Sequence, residues 1–224
     1  MTVPPRTDAA EEPVEKWVFG EPPLPELTEL ASALRELTST VVSLEHAPPE
    51  LAELTATLRA AQQRLAAHAP ADPRPRVGDD ATPDQRVYVD HGRDIGDFNP
   101  VFPRYELDSD PDGTAHGSVT FPVCYEGPPG IVHGGFLAVF FDCVLQQLNC
   151  DLGLAGKTAE LTMRFRRPTP LLTPLTVHAE RTVDGDRIQS HAELRLGEKL
   201  LCECDMAAAV GNRAGLPAVS PRRA

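Results

Sequence analysis

The stretch Tyr125-Glu126-Gly127-Pro128-Pro129-Gly130-Ile131-Val132-His133-Gly134-Gly135, running on into Phe136–Cys150, decides how the chain is read. A loop rich in Gly and Pro feeds His-Gly-Gly. An apolar run follows, Phe-Leu-Ala-Val-Phe-Phe-Asp-Cys-Val-Leu-Gln-Gln-Leu, with one carboxylate, Asp142, inside it. The run is too long for a typical strand and too short to span a bilayer. It is apolar nearly all round, which predicts a helix buried in a core. Two glycines at its start leave backbone N–H groups open to a ligand, and the helix dipole adds partial positive charge there. That end is a candidate oxyanion site. Asp142 is the anomaly, because desolvating a carboxylate is costly. It is either tied off by a hydrogen bond, or it is a catalytic base or nucleophile whose pKa an apolar wall would raise. Gly134 and Asp142 are eight residues apart, ~12 Å along a helix that rises ~1.5 Å per residue. One carbonyl cannot easily use both from a single chain, so the spacing predicts a site shared between two subunits.

Composition narrows the classes. The 224 residues suffice for one sizeable core plus extensions. A net charge of −12 and a pI near 5.0 argue against nucleic-acid binding and against a basic membrane-surface patch. The N-terminus lacks a charged-then-apolar leader, and no run reaches transmembrane length. The five cysteines, Cys124, Cys143, Cys150, Cys202 and Cys204, are odd in number and sit in apolar contexts, which predicts reduced, buried thiols and a cytoplasmic protein. Cys202-Glu203-Cys204 has metal-like spacing, but no His/Cys cluster supports it, and alternation puts both thiols on one strand face; neither a metal nor a cofactor is expected.

Residues 1–25, rich in Pro and Glu, are expected to be a disordered tail in which Trp17 and Phe19 stand out as candidates for docking. Leu27, Leu30, Leu34, Leu37, Val41 and Leu44 alternate spacings of three and four, Pro48-Pro49 interrupts, and Leu51, Leu54, Leu58, Ala61 and Leu65 resume. Residues 26–69 therefore read as a helical hairpin arm packed on the main domain, with contact to a partner as the alternative. Residues 70–85 are a linker by composition. A domain over 86–210 follows, with short strands at Arg86–Val89, Phe102–Leu107 and Ala115–Val123 before the helix. After it come antiparallel strands at Thr158–Arg166, Leu175–Val183, Arg187–Leu196 and Lys199–Val210, and then a disordered tail over 211–224. This order predicts an α+β fold, a sheet wrapped around one long helix.

The order of strand, Gly-rich loop, His-Gly-Gly helix and long antiparallel strands resembles the hot-dog fold. The 125–135 motif with an acid nine residues after His133, together with Thr158-Ala159-Glu160-Leu161-Thr162-Met163-Arg164-Phe165-Arg166-Arg167-Pro168, is similar to PaaI-type acyl-CoA thioesterases over about Asn99–Val210. The resemblance implies hydrolysis of an acyl-CoA or acyl-carrier-protein thioester, a lipid-metabolic role, and a homodimer that pairs the acid of one subunit with the glycine N–H of the other. It leaves a tetramer of two such dimers open. It further implies that Asp142 activates water or attacks directly, that Gly134 polarises the carbonyl, that His133 shapes the loop and can help at the carbonyl, and that Thr158 holds the water. Gly135, Arg164, Arg166 and Arg167 would bind substrate. Some relatives carry an asparagine six residues before the histidine, where this chain has Gly127.

Two rivals remain. Hot-dog hydratases carry Gly-Asp-x-Asn-Pro-x-His, which Gly96-Asp97-Phe98-Asn99-Pro100-Val101-Phe102 approaches, with Phe102 in place of the proton-moving histidine. A non-catalytic acyl-CoA-binding or scaffold protein is the other, and Asp142 and Thr158 together argue against it.

Overall fold

The computed structural model describes residues 15–223. Two helices open it, α1 (Glu26–Val42) and α2 (Glu50–Ala66), each starting directly after a proline, where a missing N–H costs nothing. A parallel pair of short strands follows, β1 (Asp72–Pro75) and β2 (Gln85–Arg86), and then a single turn of helix, α3 (Ile95–Phe98). The remaining elements are β3 (Tyr105–Ser109), β4 (Thr114–Val119), the long helix α4 (Gly134–Asp151), β5 (Gly156–Phe165), β6 (Leu175–Asp184), β7 (Arg187–Leu196) and β8 (Lys199–Val210). The last six strands form one antiparallel sheet in the order β3-β4-β6-β7-β8-β5.

The sheet folds about α4 because their apolar faces match. Strand alternation sends Ile188, Ala192 and Leu194 of β7 and Cys202, Cys204, Met206 and Ala208 of β8 inward. On α4, Leu137, Phe140, Phe141, Val144, Leu145 and Leu148 are buried against them. Phe140 meets Phe121 and Tyr105 edge-on at 5.5 and 5.6 Å between ring centroids, the geometry aromatic quadrupoles favour. The two cysteines of the Cys-x-Cys pair are core residues, and burial pushes the Cys202 thiol up to about 11 and the Cys204 thiol to about 12. Among the described residues no helix is long and apolar enough to cross a membrane.

The flanking segments differ from their compositional reading. Of the tail expected over 1–25, residues 1–14 lie outside the described part. Trp17, in the placed remainder, is only 9 % exposed, and its N–H donates to Cys150 O at 2.8 Å. The segment expected as a linker over 70–85 carries β1 and part of the β1–β2 ladder, since Pro73 and Pro75 hold the chain extended at an edge where they owe no donor. The segment after Gly211, expected as a tail, runs back along it, with Gly78 N–H donating to Ala218 O at 2.8 Å and Ser220 N–H to Arg76 O at 3.2 Å.

Of the arm, α1 docks and α2 does not bury a residue. The residues α1 buries are Ala31 and Arg35, beside the leucine stripe rather than on it. The Arg35 guanidinium donates to the carbonyls of Gly96, Asn99 (3.5 Å) and Phe102 (3.3 Å) and to the Tyr125 hydroxyl (3.3 Å). That hydroxyl in turn donates to Phe102 O at 2.8 Å. The Gly96–Phe102 segment is thus a turn closed over a buried cation. The expected strand at Phe102–Leu107 begins only at Tyr105.

Candidate active site

The loop before α4 is fixed at both ends by backbone bonds. His133 N–H donates to Tyr125 O, Gly127 N–H to Ile131 O, and Val132 N–H to Thr169 O, at 2.8–2.9 Å. Glu126 Oε1 accepts from Gly130 N–H at 2.7 Å, and Gly130 sits at φ +73°, a backbone conformation that favours glycine. A Cβ on Gly127 would lie 2.8 Å from His133 Cα. A side chain at this position would displace the loop at His133.

A helix start leaves four N–H groups without i to i−4 partners, here those of His133, Gly134, Gly135 and Phe136. His133 O accepts from Phe136 and Leu137 at 2.9 and 3.3 Å. His133 Nδ1 accepts from Gly135 N–H at 3.0 Å. The Gly134 N–H has no acceptor among the described residues. The histidine is therefore the helix cap, with its proton on Nε2, and Gly134 is the one open donor. The Gly135 N–H, expected at the substrate, is taken by His133, and the bareness of Gly135 makes room for that ring, since a Cβ there would lie 3.1 Å from Nδ1.

Two turns further along α4, Asp142 is half-buried, and its Oδ1 accepts from Thr158 Oγ at 2.8 Å. Thr158 accepts in turn from Gln146 Nε2 at 2.7 Å. Strict alternation would put Thr158 on the face of Glu160, away from the helix. A bulge prevents this. Thr158 is opposite Ala208 and Glu160 opposite Ala207, so Ala159 is the extra residue and the parity changes. Thr158 consequently shares the inward face with Ala208 and Met206, whose sulfur lies 3.6 Å from its hydroxyl. Gln146 was not singled out from sequence; the available signal was its place four residues after Asp142, on the same helix face.

Phe165, at the far end of β5, covers the helix start: a Cβ on Gly134 would meet its ring at 3.2 Å. A groove of about 440 Å³ opens there between Pro128, Gly134, Leu137, Phe165, Arg166 and Arg167. The three expected substrate-binding arginines are separated by it. Arg166 and Arg167 line it, Arg166 paired with Glu203 at 2.6 Å and Arg167 donating to Leu200 O at 2.8 Å. Arg164 points to Asp205, whose carboxyl it holds below the ordinary range together with His191. Asp97 of the hydratase-like segment is paired with Arg104 at 2.8 Å.

No protein-family model matches the sequence. Among solved structures, a thioesterase superfamily protein aligns over 89 % of this chain and 98 % of its own at 28 % identity, with a TM-score of 0.70. An alignment of that extent runs beyond residues 86–210 into the segments around them. Two smaller structures match about half of the chain. The PaaI protein of the E. coli phenylacetic acid degradation operon is 20 % identical over 47 % of this chain and 82 % of its own, with a TM-score of 0.44. A hypothetical thioesterase from Streptococcus pneumoniae TIGR4, solved with coenzyme A, is 20 % identical over 49 % and 90 %, with a TM-score of 0.46. With a six-stranded antiparallel sheet folded about one long helix, and that likeness along most of its length, the chain has the hot-dog fold of the thioesterase superfamily.

Proposed function

We propose that the protein hydrolyses acyl-CoA thioesters as a homodimer, each site taking Asp142 and Thr158 from one protomer and the Gly134 N–H from the other. The observation that carries the proposal is the pairing of one unoccupied helix-start donor with a Gln146–Thr158–Asp142 hydrogen-bond chain. Within one protomer Gly134 and Asp142 are ~12 Å apart along α4, beside opposite ends of β5, at Phe165 and Thr158 respectively. β5 is an edge strand with one side of its ladder open, and Phe165 is 58 % exposed. Antiparallel pairing of two β5 strands about Leu161 and Thr162 sets Thr158 of one opposite Phe165 of the other. Because Phe165 packs on Gly134, that register brings the second helix start to the first carboxylate.

The chemistry then balances. A water hydrogen-bonded at Thr158 and Asp142 gives a proton to the Asp142 carboxylate as its oxygen bonds to the thioester carbon. The carbonyl oxygen takes up negative charge beside the Gly134 N–H. Collapse breaks the C–S bond, the thiolate receives the proton from Asp142, and free acid and thiol leave. A placed donor at the oxyanion contributes about 3 kcal/mol, and a positioned base about 10²–10⁴-fold. Arg166 and Arg167 at the groove beside Gly134 supply local positive charge for the phosphates of coenzyme A on a chain of net charge −12.

Release of free thiol from a panel of acyl-CoAs tests this, with Asp142→Asn as the comparison. Activity in the wild type that is lost in the variant supports hydrolysis. Silence of both on every chain length sinks it and leaves acyl-CoA binding without turnover. Enoyl-CoA hydration is disfavoured because Asp97 is engaged by Arg104 and Phe102 stands at the histidine position.

A further inference from the structure

We infer that the apolar end of the acyl group is seated outside the hot-dog core, in a pocket built by the segments flanking it. This rests on the reading of Asp142 and Thr158 as the hydrolytic centre. The pocket, of about 380 Å³, has α4 as its floor at Gln146 and Cys150. Its walls come from three separate stretches: Trp17 and Phe19 before the arm, Tyr88 and the 90–92 turn before α3, and Gly211 and Leu216 after β8.

Three observations point to an acyl group. The first is continuity with the acid. Gln146 is both the floor of the pocket and the donor to Thr158 Oγ, and it follows Asp142 by one helical turn, ~6 Å. Gly156 and Lys157, immediately before Thr158, complete that rim. A carbonyl held at Asp142 has its substituent directed along the Asp142–Gln146–Cys150 face into the pocket.

The second is that Asp90, His91 and Gln146, three of the polar side chains lining the pocket, already have partners. Asp90 accepts from Gly92 N–H at 2.9 Å and pairs with Arg93, His91 Nδ1 lies 2.5 Å from Val89 O, and the Gln146 amide is used on Thr158. Besides the Lys157 ammonium at the rim, the Tyr88 hydroxyl and the Trp17 indole N–H, what the pocket offers an occupant is ring face and hydrocarbon. Phe19 meets Tyr88 at 5.2 Å and Tyr88 meets His91 at 5.6 Å between ring centroids.

The third is that the wall is held in place. Arg93 donates to Trp17 O at 2.8 Å and to Cys150 O at 2.7 Å while bound to Asp151. Arg213 stacks on the Trp17 ring at 4.9 Å from its centroid. A preorganised apolar wall binds without paying to order itself first. The substrate class is therefore an acyl-CoA with a compact apolar body, medium-chain alkyl or aryl, in preference to acetyl. Phe19, Tyr88 and Leu216 set the limit of chain length.

Trp17 is the single tryptophan of the chain, so its fluorescence reports on this pocket alone. In the full-length Asp142→Asn protein, octanoyl-CoA and benzoyl-CoA are expected to change Trp17 emission saturably, and coenzyme A alone is not. In the active protein, Leu216→Phe, at a position 38 % exposed and able to accept a larger side chain, should lower the octanoyl-to-acetyl ratio of kcat/KM at least about 10-fold. Hydrolysis of octanoyl-CoA with no Trp17 response, or with an unchanged ratio in Leu216→Phe, overturns the pocket and leaves the hydrolase reading standing. A saturable Trp17 response in a protein that cleaves no thioester supports the pocket and removes the hydrolase.

Discussion

Replacing Gly134 with proline isolates the oxyanion donor. Proline lacks only the N–H, and Gly134 is the first residue of α4, the helical position where proline is best tolerated. The preceding residue must be extended, and His133 is, at φ −65° and ψ 132°. No helix bond is lost, because the Gly134 N–H has no acceptor. The new ring meets Phe165, whose side chain is more than half exposed and free to swing. Proline also restricts the unfolded chain, worth ~0.4–1 kcal/mol in favour of folding, which offsets that adjustment. The melting temperature should therefore move by no more than about 2–4 °C, the shift ~1 kcal/mol makes in a chain of this size. Turnover should not survive. A lost oxyanion donor costs ~2.7–4 kcal/mol, or ~10²–10³ in kcat, with KM little altered because the ground-state carbonyl draws little on it. The assay is steady-state thiol release for wild type, Gly134→Pro and Gly134→Ala, the last retaining its N–H. A folded Gly134→Pro protein whose kcat stays within a few-fold of wild type refutes the assignment.

Thr158→Val should leave the fold intact and lower kcat by about 10²-fold, since the water loses its hydroxyl partner and the Gln146 amide its acceptor; full activity in this variant would remove Thr158 from the site. Arg35→Ala strips the donors from the Gly96, Asn99 and Phe102 carbonyls and should cost about 2–4 kcal/mol in a denaturant titration, with Arg35→Lys failing to restore it because an ammonium lacks the planar fork. Burial pushes the thiols of Cys143 and Cys204 up to about 12 and those of Cys150 and Cys202 to about 11, from an ordinary 9.0. Above pH 9 the unfolded chain loses these protons first, so stability should fall between about pH 9 and 12, and Cys143→Ala should reduce that slope in melting curves taken across the range.

The parts of the fold set by periodicity were legible: the long helix, the four strands after it and the inward cysteines all follow from patterns of 3.6 and 2. What was not legible depends on contacts between distant segments. The bulge at Ala159 leaves no mark in composition, yet it turns Thr158 toward Asp142 where counting by twos turned it away. Arg35 reads as one more charge on a helix flank, and its burial becomes visible only once three carbonyls from around α3 converge on it. The leucine stripe of α1 invited the opposite inference about which face docks. On α2 the stripe is real, but Leu58 and Leu65 remain 43 % and 62 % exposed. At the site, Gly134 and Asp142 could be named from their places on one helix. The sharing-out of the helix-start amides, which sets Gly134 apart from Gly135, needed the orientation of the His133 ring.

The guanidinium that α1 inserts beneath Tyr125 makes the arm and the loop before α4 one mechanical unit. A fragment beginning at residue 86 would retain every proposed catalytic group and yet expose raw carbonyl oxygens under the hinge that presents Gly134. Transplanting the proposed site onto a shorter scaffold therefore means carrying the first helix with it, or designing a cation to stand in its place.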